Sequence, residues 1–157
     1  MRRFIIITLS LLFAGAAFGQ SADVITEILE SKEATFGQVC YISAVQQGLV
    51  EDSSNYEDAV TALQDAGQIP ESISVDHSIP AVDAAFIYSQ MWEIKGGLMY
   101  RITKGSPRYA FRQFQADGVI SSSIEPNTLI SGVDILRMYT ACMRKYGGLD
   151  LTKVQMD

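Results

Sequence analysis

Hydrophobic residues recur at the three- and four-residue spacing of an α-helix in six stretches of this chain. The best alternating stretch, which is the pattern of a β-strand, runs from Gly97 to Thr103 and is short. The pattern therefore predicts a helical protein. The apolar positions that define the six helices are Val24, Ile25, Ile28 and Leu29; Val39, Tyr41, Ile42 and Val45; Ala59, Val60 and Leu63; Val82, Phe86, Ile87, Met91 and Trp92; Ala110, Phe111 and Phe114; and Val133, Leu136, Met138, Tyr139 and Met143.

The segment from Ser106 to Gly148 repeats the segment from Asn55 to Gly97 at a constant offset of 51 residues, without a gap. Each copy reads as a helix, a loop and a second, longer helix. Such a repeat indicates that one supersecondary unit is used more than once, and it constrains the whole fold. Identical pairs include Ala59 and Ala110, Gln64 and Gln115, Gly67 and Gly118, Ile73 and Ile124, Asp83 and Asp134, and Tyr88 and Tyr139.

Residues at the predicted helix ends support this interpretation. Gly67 and Gly118 directly follow the first helix of each copy, where a left-handed C-cap favours a residue without a Cβ. In the second copy, Ser131 is a natural N-cap, and Asp134 three residues later makes a near-relative of the capping box. In the first copy, Pro80 suits the first helical turn. The other predicted caps are Ser78 for the same helix, Thr35 paired with Gln38 further upstream, and Asp23 for a short helix before that.

A third, partial copy lies upstream, where Ala34 to Gln38 opens a helix as Ile130 to Asp134 does. We therefore expect an all-α fold of three tandem helix-loop-helix units, the first one partial, with at most a short extended segment near residues 98–103. Because no unit can bury its apolar face alone, the three should pack around a shared core. The units should span approximately residues 22–50, 55–97 and 106–148.

The three units resemble the S-layer homology (SLH) repeat, which has an aromatic-Ala first helix, a Gly-Ile turn and an Ile-Thr-Arg-Ala-Glu start to its second helix. The matching segments are Tyr109-Ala110, Gly118-Val119-Ile120 and Ile130-Ser131-Gly132-Val133-Asp134, and more loosely Gly67-Gln68-Ile69 and Ile79-Pro80-Ala81-Val82-Asp83. The resemblance implies an SLH-like helical domain over nearly all of the mature chain. The family's arginine, implied in binding cell-wall polysaccharide, is replaced by Phe36, Ala81 and Gly132. The resemblance thus implies the fold rather than the family's usual ligand.

Residues 1–19 have the composition of a signal peptide. A basic start at Arg2-Arg3 precedes an apolar run from Phe4 to Phe13, and Ala17-Phe18-Gly19 offers a cleavage site. The run is shorter than the ~20 residues that a membrane span needs. We expect Sec-type export of a bacterial protein to the periplasm or cell envelope, with an uncleaved anchor as the alternative. Residues 20–157 should form a single domain without a transmembrane segment.

Charge is distributed unevenly along the chain. Residues 20–94 carry thirteen acids and one base, whereas residues 95–145 carry eight bases and three acids. Removal of Arg2 and Arg3 with the signal peptide would change the net charge from −6 to −8. An exported protein with this acidic balance is a poor candidate for nucleic-acid binding.

A short basic and aromatic stretch is the candidate binding site. Within it, Arg108 and Arg112 are four residues apart and share a helix face. One interpretation is a surface for an anionic glycan, a lipid headgroup or an acidic partner. The other is a solvated face whose charges offset the acidic first half of the same fold. The candidate residues are Tyr100, Arg101, Lys104, Arg108, Tyr109 and Arg112.

The two cysteines, Cys40 and Cys142, lie in predicted second helices of the first and third units. In an exported protein an even count permits one disulfide, which would stabilise the fold by roughly 4 kcal/mol if it were unstrained. The alternative is two buried thiols that act as small apolar residues. The chain has no Cys-x-x-Cys motif, so the sequence gives no indication of redox catalysis.

The sequence contains no set of residues typical of catalysis or of a metal site. Its one histidine, His77, stands beside Asp76 in a predicted loop, and no second histidine is available for the usual zinc sites. Asp83 and Asp134 resemble paired carboxylates, but each lies in the first turn of a helix, where the dipole favours an acid. Trp92 could stack on a sugar, but its place on a helix favours packing between units. We therefore expect no catalytic residue, metal or cofactor.

Three functions are compatible with these patterns. The first is an exported, non-catalytic cell-envelope protein whose SLH-like module associates with cell-wall glycan or an envelope protein. The second is a structural or adaptor subunit of a periplasmic assembly, which a large exposed apolar patch would favour. The third is a cell-wall hydrolase, which needs two carboxylates at catalytic separation, and the spacing of the acids does not suggest such a pair. We expect the first, with the second close behind.

Overall fold

The computed structural model describes residues 22–92 and 106–147, and these contain six α-helices and no strand. The all-α prediction is confirmed for these residues. The predicted signal peptide and the predicted extended segment near residues 98–103 lie outside them. The helices are α1 (residues 22–30), α2 (Phe36–Gln46), α3 (Tyr56–Asp65), α4 (Ala81–Met91), α5 (Pro107–Ala116) and α6 (Gly132–Tyr146).

The helices differ in how much of their surface is enclosed. α2 buries eight of its 11 residues and α4 buries seven of 11, so both are covered on nearly all sides. α3 and α5 each bury only three of 10 residues, along one face. α2 packs chiefly on α3, and α4 packs chiefly on α5. The second helix of one predicted unit therefore lies against the first helix of the next.

The chain segments that precede α2, α4 and α6 lie side by side. The Ala34 amide donates to the Ile130 carbonyl (2.7 Å), and the Ile79 amide donates to the Ala34 carbonyl (2.8 Å). Isolated antiparallel bridges continue these contacts on either side. All three predicted units are thus joined by main-chain hydrogen bonds at one place in the interior.

The first amides of α2 and α4 are satisfied by the loop that leads into the next second helix. A helix leaves its first N–H groups without acceptors inside the helix, so they need partners elsewhere. The carbonyls that accept from α2 and α4 are 51 residues apart, which is the offset of the sequence repeat. The bonds, each 2.9 Å long, are Phe36 N–H to His77 O, Gly37 N–H to Val75 O, Ala81 N–H to Thr128 O and Val82 N–H to Pro126 O.

The predicted capping boxes of α2 and α6 are confirmed. Thr35 with Gln38, and Ser131 with Asp134, each form both reciprocal hydrogen bonds. The glycines that follow α3 and α5 have the predicted left-handed backbone, with φ of 67° and 73°. These local signals therefore fix the helix boundaries, as sequence patterning predicts.

The predicted caps at Ser78 and Asp23 are wrong, and Pro80 lies one position earlier than predicted. Pro80 is the N-cap of α4 rather than part of its first turn, so the helix begins at Ala81 without a side-chain cap. The Ser78 hydroxyl donates to Glu33 Oε2 instead (2.9 Å). Asp23 lies inside α1 and not before it. α4 can begin without a capping side chain because loop carbonyls accept from its first two amides.

The start of α6 packs directly on the end of α1. The Gly132 amide donates to the Ser31 carbonyl (2.9 Å), and a Cβ added at Gly132 would overlap the Ile28 carbonyl oxygen. Phe36 and Ala81 stand at the corresponding first positions of α2 and α4, where a side chain is accommodated. The third of these helix starts is therefore closed by main-chain contact, while the other two leave space.

Aromatic side chains connect the helices in the interior. Tyr88 is fully buried, and its hydroxyl donates to the Ile135 carbonyl (3.3 Å) between α4 and α6. Trp92 is half-buried, with its ring centroid 6.4 Å from that of Tyr139. The position of Trp92 agrees with the predicted packing role between units.

Cys40 and Cys142 are both fully buried, and in the structure they are free thiols. Burial raises the pKa of each thiol from 9.0 to about 12. Because the thiolate is the reactive form, both side chains are inert near neutral pH in the folded protein. Both cysteines belong to the buried core, and the disulfide between them stays a prediction.

Candidate functional site

The predicted basic site lies partly within the described residues. Arg108, Tyr109 and Arg112 lie on α5, and Tyr100, Arg101 and Lys104 fall outside the described ranges. Arg108 and Arg112 are exposed, lie one turn apart and line a groove of about 560 Å³. Tyr109 is half-buried and does not line it. We call this space between α5 and residues 122–126 the α5 groove.

Hydrogen bonds fix the loop that faces α5 across the groove. Gln115 Nε2 donates to the Ser121 carbonyl (3.4 Å) and to the Ile124 carbonyl (3.1 Å), which ties the loop to the helix. The Ser121 and Ser123 hydroxyls are 2.8 Å apart and hydrogen-bonded to each other. Ser122 and Ser123 therefore line a groove wall whose backbone is held in place.

The electrostatics of the α5 groove are dominated by two guanidinium groups. Within residues 22–92 and 106–147, neither Arg108 nor Arg112 forms an ion pair, and the one salt bridge joins Arg137 to Asp134 at 3.3 Å. Glu125 also lines the groove, which leaves a net positive charge there. Guanidinium groups with nearby hydroxyls are well suited to carboxylate or phosphate oxygens.

The corresponding surface of the preceding unit has the opposite charge. At an offset of 51 residues, Glu57 and Thr61 replace the two arginines, and Glu71 replaces Ser122. The anchoring bond is retained, since Gln64 Nε2 donates to the Pro70 carbonyl (3.3 Å) as Gln115 does to the Ser121 carbonyl. This hydrogen bond is therefore common to the two positions, whereas the two arginines occur only beside the α5 groove.

Two further pockets each lie between the first residue of one second helix, the next second helix and the loop that precedes it. The first has a volume of about 250 Å³ and the second about 170 Å³. Seven lining residues of one correspond to seven of the other in the repeat alignment. The first, the Asp83 pocket, is lined by Phe36, Ile69, Pro70, Ile73, Asp83, Phe86, Ile87 and Pro107. The second, the Asp134 pocket, is lined by Ala81, Val119, Ile120, Ser121, Ile124, Ile130, Asp134, Arg137 and Met138.

The two carboxylates in these pockets have different surroundings. Asp134 accepts from the Ser131 amide (3.3 Å), the Ser131 hydroxyl (2.7 Å) and Arg137 Nη1 (3.3 Å). Asp83 occupies the same helical position, but its N-cap is Pro80, which has no N–H and no hydroxyl. Burial raises the pKa of the Asp83 carboxyl.

Sequence patterning did not identify the two pockets. It identified Asp83 and Asp134 as helix-start acids, and both lie in the first turn of a helix. The Asp134 carboxylate also completes a capping box, whereas the Asp83 carboxylate does not. The signal that distinguishes Asp83 was present in the chain, because a proline at position 80 cannot donate to it. The pocket walls themselves come from separate segments and have no local signature.

The sequence offered His77 and its neighbour Asp76 as candidates for acid–base or metal chemistry. His77 and Asp76 are both exposed, and the His77 carbonyl rather than its ring makes the structural contact to α2. Across residues 22–92 and 106–147, no three metal-ligating side chains form a group that could hold an ion. No helix in these ranges combines the length and apolar character needed to cross a bilayer.

Comparison with known proteins gave no match to a protein-family model, to a curated protein sequence or to a solved structure.

Proposed function

We propose that this chain is an exported, non-catalytic cell-envelope module that associates with anionic cell-wall glycan through the α5 groove. The observation that carries the proposal is the pair of exposed arginines, Arg108 and Arg112, which line the groove without ion-pair partners among the described residues. The signal-peptide pattern of residues 1–19 supports export. The SLH-like sequence pattern supports a three-unit helical module and does not identify its ligand, because Phe36, Ala81 and Gly132 replace the family's arginine.

The chemistry of the groove favours an acidic carbohydrate. Arginine binds carboxylate and phosphate oxygens through paired, parallel hydrogen bonds, and cell-wall polymers carry both groups. The hydroxyls of Ser122 and Ser123 lie on the facing wall and can bond to sugar hydroxyls. Because the arginines are solvent-exposed, binding should weaken as salt concentration rises.

The test is co-sedimentation of the mature chain, from Gln20 onward, with purified cell-wall sacculi across a salt series. A variant with Arg108→Glu and Arg112→Glu reverses the charge of the groove. Its matched control is Lys32→Glu with Arg144→Glu, since both of these residues are exposed and neither lines the groove. The two variants have the same net charge, so a general charge effect would reduce binding equally.

We expect salt-sensitive binding by the unaltered chain and by the control, and loss of binding by the groove variant. Equal loss in both variants would show attraction to net charge and no defined site. Absence of binding at every salt concentration would overturn the proposed function. A wider variant that adds Arg101→Glu and Lys104→Glu tests whether the rest of the predicted basic stretch contributes.

A second candidate function is docking to an envelope protein, and the surface of α1 favours it. Ile25 and Leu29 are 37% and 47% exposed and share one helix face. Ile25 also lines an apolar pocket of about 130 Å³ together with Leu136 and Tyr139. Contiguous exposed apolar side chains mark interaction surfaces. A cross-linked adduct lost in an Ile25→Ser, Leu29→Ser variant that still binds sacculi would support this function.

A further inference from the structure

The Asp83 pocket holds a carboxylate that the fold leaves without a partner. Asp83 is the third residue of α4, where an acid normally accepts from the N-cap residue. Pro80 occupies the N-cap and offers no donor, and no side chain in the described part of the chain donates to Asp83. The pocket therefore contains a negative charge whose hydrogen-bonding capacity is not used by side chains of residues 22–92 and 106–147.

The walls around this carboxylate are apolar and partly aromatic. Phe36 from α2 and Phe86 from α4 line the pocket together with the side chains of Ile69 and Ile73. Aromatic faces attract cations through the negative charge of their π-systems, and this attraction adds to that of a carboxylate. An anion would be repelled by Asp83, and a neutral apolar molecule would leave the carboxylate unpaired.

We infer that the Asp83 pocket binds a small organic ammonium ion whose apolar body packs between the two phenylalanine rings. The ammonium group donates to the Asp83 carboxylate, and the apolar part covers the isoleucines. This site is separate from the α5 groove, and it does not depend on the proposed wall association.

The Asp134 pocket provides an internal control with the same framework. There Ala81 replaces Phe36 and Arg137 replaces Phe86, so neither aromatic wall is present. The Asp134 carboxylate already accepts from Ser131 and Arg137. An ammonium ion should therefore discriminate between two pockets that share an aspartate and two isoleucines at equivalent positions.

The experiment is an NMR titration of the mature chain labelled at isoleucine methyl groups. Benzylammonium is the probe, and benzyl alcohol is the neutral analogue of nearly the same shape. Ile69 and Ile73 report on the Asp83 pocket, whereas Ile120 and Ile124 report on the Asp134 pocket. We expect benzylammonium to shift the first pair of methyl signals and leave the second pair unchanged.

Two variants test the role of the carboxylate. Asp83→Asn should weaken benzylammonium binding about tenfold, the equivalent of one charge-assisted hydrogen bond, and should weaken benzyl alcohol binding much less, because its hydroxyl can also donate to the amide oxygen. Pro80→Ser retains the carboxylate but gives it an N–H and a hydroxyl donor, and it should also weaken benzylammonium binding. The Ile120 and Ile124 methyl signals show whether each variant remains folded.

Three results would overturn the inference. The first is equal benzylammonium affinity in the unaltered chain and in Asp83→Asn. The second is an equal response of the isoleucines in both pockets. The third is the absence of any shift at Ile69 and Ile73 at probe concentrations that saturate weak sites. None of these results bears on sacculus binding through Arg108 and Arg112, so the two proposals fail independently.

Discussion

The Asp83 pocket and the Asp134 pocket are built on the same framework and differ in the chemistry of a few side chains. In each, the first two amides of one second helix donate to carbonyls of the loop that leads into the next second helix, and those carbonyls are 51 residues apart. The helix-start acid is satisfied by Ser131 in one pocket and left unpaired by Pro80 in the other. Main-chain contacts thus preserve the architecture, while single side-chain differences decide what each pocket can bind.

The third corresponding helix start shows how the same framework can be closed. At the first position of α6, Gly132 lies against the Ile28 carbonyl, and there is no room for a Cβ. At the same position, Phe36 lines the Asp83 pocket and Ala81 lines the Asp134 pocket. A glycine therefore stands at the helix start that has no free space, and larger residues stand at the two helix starts that border a pocket.

The largest expected effects come from two buried apolar side chains at equivalent positions of α3 and α5. Phe114 on α5 and Leu63 on α3 are equivalent in the repeat, and both are fully buried. Phe114→Ala should lower the free energy of unfolding by about 3–5 kcal/mol, and Leu63→Ala by about 2–5 kcal/mol, through lost burial and a residual cavity. Urea denaturation monitored by circular dichroism measures both.

Similar losses in these two variants would support equivalent roles for α3 and α5. A loss below about 0.5 kcal/mol for Phe114→Ala is the size expected of a surface site, and it would show that the core-facing side of α5 is assigned wrongly. Ala116→Gly, on the exposed side of the same helix, is the control for helix propensity and should cost about 1 kcal/mol or less.

The next effect tests the closed helix start. Gly132→Ala should destabilise the fold by about 3 kcal/mol, because the added methyl group meets a main-chain carbonyl that cannot move without displacing α1. The matched change at the start of α4, where a side chain is accommodated, is Ala81→Gly, and it should cost only about 1 kcal/mol through helix propensity. Thermal unfolding of both variants makes the comparison, and a neutral Gly132→Ala would contradict the close approach of α6 to α1.

A smaller effect tests the difference between the capped and the uncapped helix. Ser131→Ala removes both side-chain contacts to Asp134 and should cost about 1 kcal/mol of stability. Ser78→Ala should have little effect on α4, because that hydroxyl donates to an exposed Glu33 and caps no helix. Urea titrations would show the difference, and equal losses would mean that Ser78 supports the start of α4 after all.

Local sequence patterns predicted the helices, the starts of α2 and α6 and the C-terminal ends of α3 and α5, because apolar spacing and capping depend on neighbouring residues. They also placed Arg108 and Arg112 on one exposed face, since an interval of four residues is enough for that. Such patterns could not predict the groove wall opposite α5, because Gln115 fixes that wall through hydrogen bonds to carbonyls six and nine residues away. The start of α4 was misassigned because its amides are satisfied by a distant loop.

The smallest expected effect is a change in the free energy of unfolding whose sign should differ between variants of Asp83 and Asp134. Burial raises the folded-state pKa of Asp83 above its ordinary value of 3.8, so at pH 7 its charge costs the folded state free energy. The stabilising contribution of the protonated form is present below the unfolded pKa and is lost as pH rises through the folded pKa. Asp83→Asn should therefore raise the free energy of unfolding at pH 7, by less than about 1 kcal/mol, since the side chain is half-buried.

This gain should shrink towards zero in urea titrations carried out below the ordinary pKa, where Asp83 is protonated in both states. Asp134→Asn is the matched variant, and it should lower stability at pH 7 because the charge-assisted cap on Ser131 and the contact to Arg137 are weakened. If both variants were destabilised equally at pH 7, Asp83 would have a partner, and the electrostatic difference between the two pockets would disappear. Opposite signs would instead show that the folded protein stabilises the charge of Asp134 and not that of Asp83, as expected where Pro80 replaces a donating N-cap.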